Sequence, residues 1–172
     1  MRGLFGGRRR SVFGHGKELG RYRNEMFQIS TRIDGLLVAV ADEIDALRRR
    51  DLDPDEAVQR LGEQEEQLDT EVSSLQAMMA PEELHGLHME YEANLERALR
   101  GIVTAERGCA ITRLPHRPPD DEEPFIYYKR GHSNVSHSRL RMAEIVEVLL
   151  NWEPGGPTDA SVAARLERTR QS

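Results

Sequence analysis

Residues 19–47 read LGRYRNEMFQISTRIDGLLVAVADEIDAL, and their apolar side chains recur in alternating steps of three and four. Because an α-helix turns once in about 3.6 residues, this spacing places them on one helical face. Glu43 is the one polar residue at such a position. The stretch therefore predicts a first helix over about residues 18–50, with a seam for packing. The seam consists of Leu19, Tyr22, Met26, Ile29, Ile33, Leu36, Val40 and Leu47.

A second helix is predicted over about residues 54–79. Asp53 is a capping carboxylate, Pro54 suits the first helical position, and Asp55 and Glu56 favour the positive end of the helix dipole. The same three-four spacing continues from there, which makes this segment amphipathic as well. Its seam consists of Val58, Leu61, Glu65, Leu68, Val72, Leu75 and Met79.

A third helix is predicted over about residues 81–107. Pro81 restarts the chain after a turn of a few residues, and Gly108 is a plausible helix end. Such a short connection favours antiparallel neighbours. The third seam consists of Leu84, Leu87 or His88, Tyr91, Leu95, Ala98, Ile102 and Ala105.

The region after the third helix is rich in proline. Residues 113–124 contain four prolines and four consecutive acids, which is typical of a stiff linker. A fourth helix is predicted over about residues 133–152, whereas Gly131 leaves the assignment of residues 125–132 open. Its stripe consists of Val135, Met142, Ile145, Val146, Leu149 and Trp152.

Four amphipathic segments joined by mostly short connections predict an all-α fold, an antiparallel four-helix bundle over residues 18–153. Residues 1–17, rich in glycine and arginine, are expected to form a flexible basic arm. Residues 154–172 are expected to be a tail or a short helix. The first predicted helix is the longest, so its start should overhang the bundle. An exposed overhang at Leu19, Tyr22 and Met26 favours self-association, with cover by the arm or the tail as the alternative.

Charge is divided unevenly along the chain. Residues 1–23 carry seven basic side chains and one acid, whereas the rest holds 17 basic and 29 acidic residues. A second basic segment, residues 125–142, interleaves tyrosines with cations, a combination that single-stranded nucleic acid uses. We favour the alternative interpretation, in which Tyr127 or Tyr128 packs on the bundle and the cations offset nearby acids. The candidate phosphate contacts are Arg8, Arg9, Arg10, Lys17, Tyr127, Tyr128, Lys129, Arg130, Arg139 and Arg141.

Metal-binding and catalytic patterns are weak in this sequence. Glu82, His85 and His88 have helical spacing but begin the third helix, and antiparallel register separates them from the other acids and histidines. No metal or other cofactor is therefore expected. Cys109 follows the predicted helix end, where the dipole disfavours a thiolate. No nucleophilic triad or phosphate-binding loop is present, so an enzyme is not favoured.

These patterns favour a non-enzymatic interaction or scaffold protein that forms a homodimer and binds a further, unidentified protein. A nucleic-acid-associated protein is the alternative, and a metal-binding bundle is the second alternative. The longest apolar run, residues 36–41, is far below the roughly 20 residues that span a bilayer, so no integral membrane insertion is expected. A single cysteine fits the reducing cytoplasm.

Overall fold

The computed structural model describes residues 12–116 and 118–153, and these form a bundle of four α-helices. Helix α1 spans Val12–Arg49, α2 spans Pro54–Gln76, α3 spans His85–Thr112 and α4 spans Pro124–Asn151. A single 3-10 turn, Glu82–Leu84, leads into α3. No strand occurs in this part of the chain. The all-α prediction is therefore confirmed.

Helix α4 begins earlier than the sequence predicts. It starts at Pro124 rather than near residue 133, and thus includes the segment that Gly131 left open. Pro124 occupies the first turn, where its missing N–H leaves no hydrogen bond unmade. Gly131 stays helical because it packs directly against Gly101 of α3.

The bounds of α1 and α3 also differ from the predicted ones. Helix α1 begins at Val12, so residues 12–17, assigned to the arm, are helical. Helix α3 continues through Gly108 to Thr112, which leaves a shorter connection to α4. Gly108 does not end the helix. A Cβ there would lie 2.6 Å from Cε1 of Tyr128, so the glycine serves close packing.

The turn between α1 and α2 is defined at both ends. Arg50 adopts a left-handed conformation (φ 64°), and the Asp51 N–H donates to the Ala46 carbonyl at 2.9 Å. This pattern ends a helix, although glycine normally occupies the left-handed position. Asp53 then accepts from the Asp55 N–H at 2.8 Å and caps α2, as the sequence predicts.

The end of α2 differs from the prediction. The helix stops at Gln76, and Met79, placed in the second seam by its spacing, is 92% exposed in the connection to α3. Met78 beside it is partly buried against the core. The buried residues of α2 are Ala57, Leu61, Leu68 and Leu75, with Val58 and Val72 partly buried against the core.

The core lies along the centre of the bundle. On α1 Leu37 and Ile44 are fully buried, whereas the predicted neighbours Leu36 and Glu43 are only partly buried. The seam therefore continues without a polar break. Both Leu87 and His88 of α3 are buried.

Side-chain contacts fix the neighbours of each helix. Arg32 of α1 pairs with Glu71 of α2, and Gln64 donates to Glu43. Arg139 of α4 pairs with Asp34, while Arg23 donates to the Leu149 carbonyl. In both helix pairs the partner's number falls as the α1 number rises. This is the register expected of antiparallel neighbours.

Helices α3 and α4 approach most closely. A Cβ on Gly131 would lie 2.6 Å from the Gly101 carbonyl oxygen, and a Cβ on Gly101 would lie 2.9 Å from that of Gly131. Ala105 lies beside this contact. The two backbones thus touch without an intervening side chain, which only small residues permit.

Candidate interaction surfaces

The two tyrosines of the predicted basic patch lie inside the bundle. Tyr127 and Tyr128 are 9% and 6% exposed. Tyr127 donates to Asp121 at 3.2 Å, and the Arg107 guanidinium lies 5.4 Å from its ring centroid. The Tyr128 hydroxyl lies 3.1 Å from that of Thr112. Both rings are therefore enclosed by the bundle rather than exposed for stacking on a base.

The arginines of the same segment are engaged by acids of the bundle. Arg139 donates to Asp34 at 2.6 Å, and Arg141 reaches Glu90 at 2.8 Å and Glu144 at 3.0 Å. Arg130 pairs with Glu122 in a two-bonded arrangement. The cations therefore offset neighbouring carboxylates, as the alternative interpretation expected.

Other predicted phosphate contacts lie elsewhere. Lys129 is exposed on α4, and Lys17 is exposed near the start of α1, at the opposite end of the bundle. Arg8, Arg9 and Arg10 lie outside the described residues. The structure thus assembles no continuous basic surface from the described candidates.

The predicted self-association residues are core residues. Leu19, Tyr22 and Met26 are 7%, 4% and 0% exposed in the single chain. The Tyr22 hydroxyl lies 3.0 Å from Nδ1 of His88 on α3, which places this part of α1 against the bundle. The prediction of an exposed overhang is therefore wrong, because the start of α1 is covered by its own chain.

His88 belongs to this buried polar contact. Its Nε2 lies 3.7 Å from Glu92, one turn further along α3. Desolvation lowers the pKa of His88, although the Glu92 carboxylate opposes the shift. Burial likewise raises the pKa of Tyr22. The Tyr22 hydroxyl and Nδ1 of His88 share a buried hydrogen bond whose donor is set by the imidazole tautomer, so His88 acts as a core residue.

The three residues predicted as weak metal ligands do not lie together in the structure. Glu82 and His85 are exposed on the surface, whereas His88 turns into the core. Within residues 12–116 and 118–153, no three histidine, cysteine or acidic side chains are grouped to hold a metal ion. None of the described helices is long and apolar enough to cross a membrane.

Cys109 is fully buried between α3 and α4. Burial raises the pKa of its thiol, opposed by a hydrogen bond from Tyr128. Desolvation also raises the pKa of Tyr128, to about 12. Both groups are thereby held in their neutral forms.

Described residues form depressions on the surface of the bundle. One, of about 890 Å³, lies between the N-terminal half of α1 and the α2–α3 connection. Another, of about 770 Å³, lies beside the α1–α2 turn and the start of α4. A third, of about 230 Å³, is an apolar groove between α1 and α4.

The α1–α4 groove escaped the sequence prediction. Phe27 stands at its mouth, 51% exposed, next to Ala143 and Val146. The only sequence signal was a large aromatic outside the α1 seam, and a lone exposed apolar residue carries little information. Phe27 becomes part of an apolar groove only because α4 packs beside it in the fold.

The chain has no match among protein-family models, curated proteins or solved structures.

Proposed function

We propose that this chain is a non-enzymatic helical-bundle interaction protein that forms a homodimer through the α1–α4 groove. One observation carries the proposal. The half-exposed Phe27 ring stands beside an apolar groove floored by Met142, Ala143 and Val146. Aromatic anchors beside a pocket are the usual centres of protein interfaces.

Charge supports a second copy as the occupant of this groove. Residues 51–107, which include α2 and most of α3, hold 15 acids and four arginines, so that side repels another copy of the same chain. In the α1–α4 groove the two charged lining residues, Asp34 and Arg139, already neutralise each other. This face therefore presents a smaller electrostatic barrier to self-association than the α2–α3 side.

The groove also suits a two-fold axis. A symmetric interface brings the same patch of both copies together, so each Phe27 meets the groove of the other copy. Asp34 and Arg139 then recur on both sides, and each arginine gains a second carboxylate within reach. The rim thus supplies paired charges around an apolar centre, as in other interfaces.

The buried polar groups support a role without chemistry. Cys109 is enclosed with a raised thiol pKa, and His88 is committed to Tyr22. A nucleophile or general base needs access to substrate, which neither has. The single free thiol also fits the cytoplasm as the proposed location.

The test is the molar mass of Phe27→Glu compared with that of Met79→Glu, by light scattering after size-exclusion chromatography. Both substitutions add one negative charge at an exposed apolar residue, but only the first lies in the α1–α4 groove. We expect Phe27→Glu to elute as a monomer, and Met79→Glu and the unmodified chain as dimers. Equal masses for all three would overturn the proposal.

A further inference from the structure

The groove between α1 and the α2–α3 connection offers a second interaction surface. It is bordered on one side by α1 from Glu18 to Arg32 and on the other by residues 77–83. Neither the fold nor the proposed dimer uses it, since the α1–α4 groove lies on the other side of α1. A segment that binds there must be complementary to both an apolar floor and a charged rim.

The floor is apolar and rich in methionine. Ile29 is buried at its base, Met78 and Ala80 are partly buried, and Met79 is 92% exposed. Methionine side chains adapt to irregular partners and make favourable sulfur–aromatic contacts. An apolar anchor, best an aromatic ring, would therefore gain from entering this groove.

The rim presents uncompensated negative charge. Its two arginines are already paired, Arg21 with Glu25 at 2.7 Å and Arg32 with Glu71 at 2.7 Å. Glu18 and Glu82 are exposed and pair with no cation in the part of the chain that the structure describes. The groove thus suits a cationic segment that carries an apolar anchor.

We propose that residues 2–10 of the same chain bind in this groove. This segment reads RGLFGGRRR, with four arginines, no acid, and an aromatic anchor in Phe5. The arginines complement the carboxylates of Glu18 and Glu82, and Phe5 complements the methionine floor. The other basic segment of the chain, residues 125–142, is part of helix α4, so residues 2–10 are the cationic segment that complements this groove.

Chain length permits this placement. The groove begins six residues after Val12, about 9 Å along α1, and ends about 30 Å from it. Phe5 precedes Val12 by seven residues, which span up to about 23 Å when extended, so a chain reversal at Val12 brings Phe5 into the groove. A segment bound in this way shields its arginines from other anions. This inference is independent of the proposed dimer.

The test uses disulfide trapping in the full-length chain. Gly6→Cys is combined with Ala77→Cys, an exposed position in the groove, and oxidised under mild conditions. The control combines Gly6→Cys with Asn24→Cys, an exposed position on α1 that does not line the groove. Asn24 is about 18 Å along α1 from Val12. Its distance from the N-terminal segment therefore does not by itself slow disulfide formation in the control pair.

We expect the groove pair to form an intramolecular disulfide about tenfold faster than the control pair, because binding raises the effective concentration. Replacing Arg8, Arg9 and Arg10 by glutamine, or adding about 0.5 M salt, should bring the rate down to that of the control. Equal rates for the two pairs would overturn the proposal. So would a product that migrates as a disulfide-linked dimer, since the segment would then occupy a second copy.

Discussion

The α3–α4 and α1–α2 pairs of this bundle are held together in different ways. Helices α3 and α4 touch backbone to backbone at Gly101 and Gly131, and α3 buries eleven of its 28 residues. Helix α2 buries four of its 23 residues, and its polar contacts with α1 lie toward the surface. The α3–α4 pair is therefore held together by close packing of small residues, whereas α2 is held to the bundle by a narrow apolar stripe.

The largest expected effect comes from filling the α3–α4 contact. Gly131→Ala places a Cβ 2.6 Å from the Gly101 carbonyl oxygen, so the helices must separate. We expect a loss of about 3 kcal/mol in the free energy of unfolding, at the upper end for overpacked cores. Urea denaturation followed by circular dichroism measures it.

The matched control lies in α2. Gly62 is exposed, and a Cβ built there meets nothing within 4 Å. Gly62→Ala should therefore stabilise the protein by about 0.5–1 kcal/mol through helix propensity alone. If both variants changed stability in the same direction, the contrast between the two helix pairs would be wrong.

A second expected effect is in amide hydrogen exchange. Because α2 has few buried apolar contacts, its amides should open locally more readily than those of α3. We expect exchange in the middle of α2, around Leu68, to be at least about tenfold faster than around Ile102 in α3. Mass-spectrometric exchange measured on the intact chain, with peptides resolved after quenching, tests this. Uniform protection would show that the bundle opens as one unit.

A third effect depends on pH and on the buried contact between α1 and α3. Burial lowers the pKa of His88 in the folded chain, so the unfolded chain binds the proton first. The stability that neutral His88 contributes is fully present above about pH 6.5, the ordinary pKa of histidine. It is lost as the pH falls from there through the lower pKa of His88 in the folded chain. His88→Gln should flatten this part of the stability–pH curve.

His116→Gln provides the control, because His116 is exposed beyond the far end of α3. It should leave the slope below pH 6.5 unchanged in thermal unfolding experiments. An identical slope in the unmodified chain and in His88→Gln would mean that carboxylates, not His88, produce it.

The smallest expected effect concerns the α1–α2 turn. Arg50 holds a left-handed conformation that costs a side-chain-bearing residue roughly 1 kcal/mol and glycine almost nothing. Arg50→Gly should therefore stabilise the protein by up to about 1 kcal/mol, reduced by the greater freedom of glycine in the unfolded chain. A shift of the thermal midpoint measures it, and a loss of stability would show that the Arg50 side chain itself contributes.

Periodicity predicted the elements better than their ends. The seams of α1 and α3 were largely predictable because large apolar residues mark their buried faces. The start of α4 was not, since Gly131 is an interruption in sequence and becomes a contact only when Gly101 lies opposite. Gly108 was misread for the same reason.

The surfaces were predictable only in part. Tyr127 and the arginines after it form a basic, aromatic segment in sequence, yet the ring is buried in the fold. Arg139 and Arg141 lie beside acids of α1 and α3, and Arg130 lies beside an acid of the α3–α4 connection. Asp34 and Glu90 are far from their partners in sequence, so no local pattern shows the pairing. The Phe27 groove likewise arises only when α1 and α4 meet.

The most direct test of the central claim, self-association through the α1–α4 groove, is sedimentation velocity of the unmodified chain from about 1 to about 200 µM. The account predicts a reversible monomer–dimer equilibrium in which the dimer dominates at the upper end. Phe27→Glu should remain monomeric across the same range. A single monomeric species for the unmodified chain at every concentration would contradict the claim.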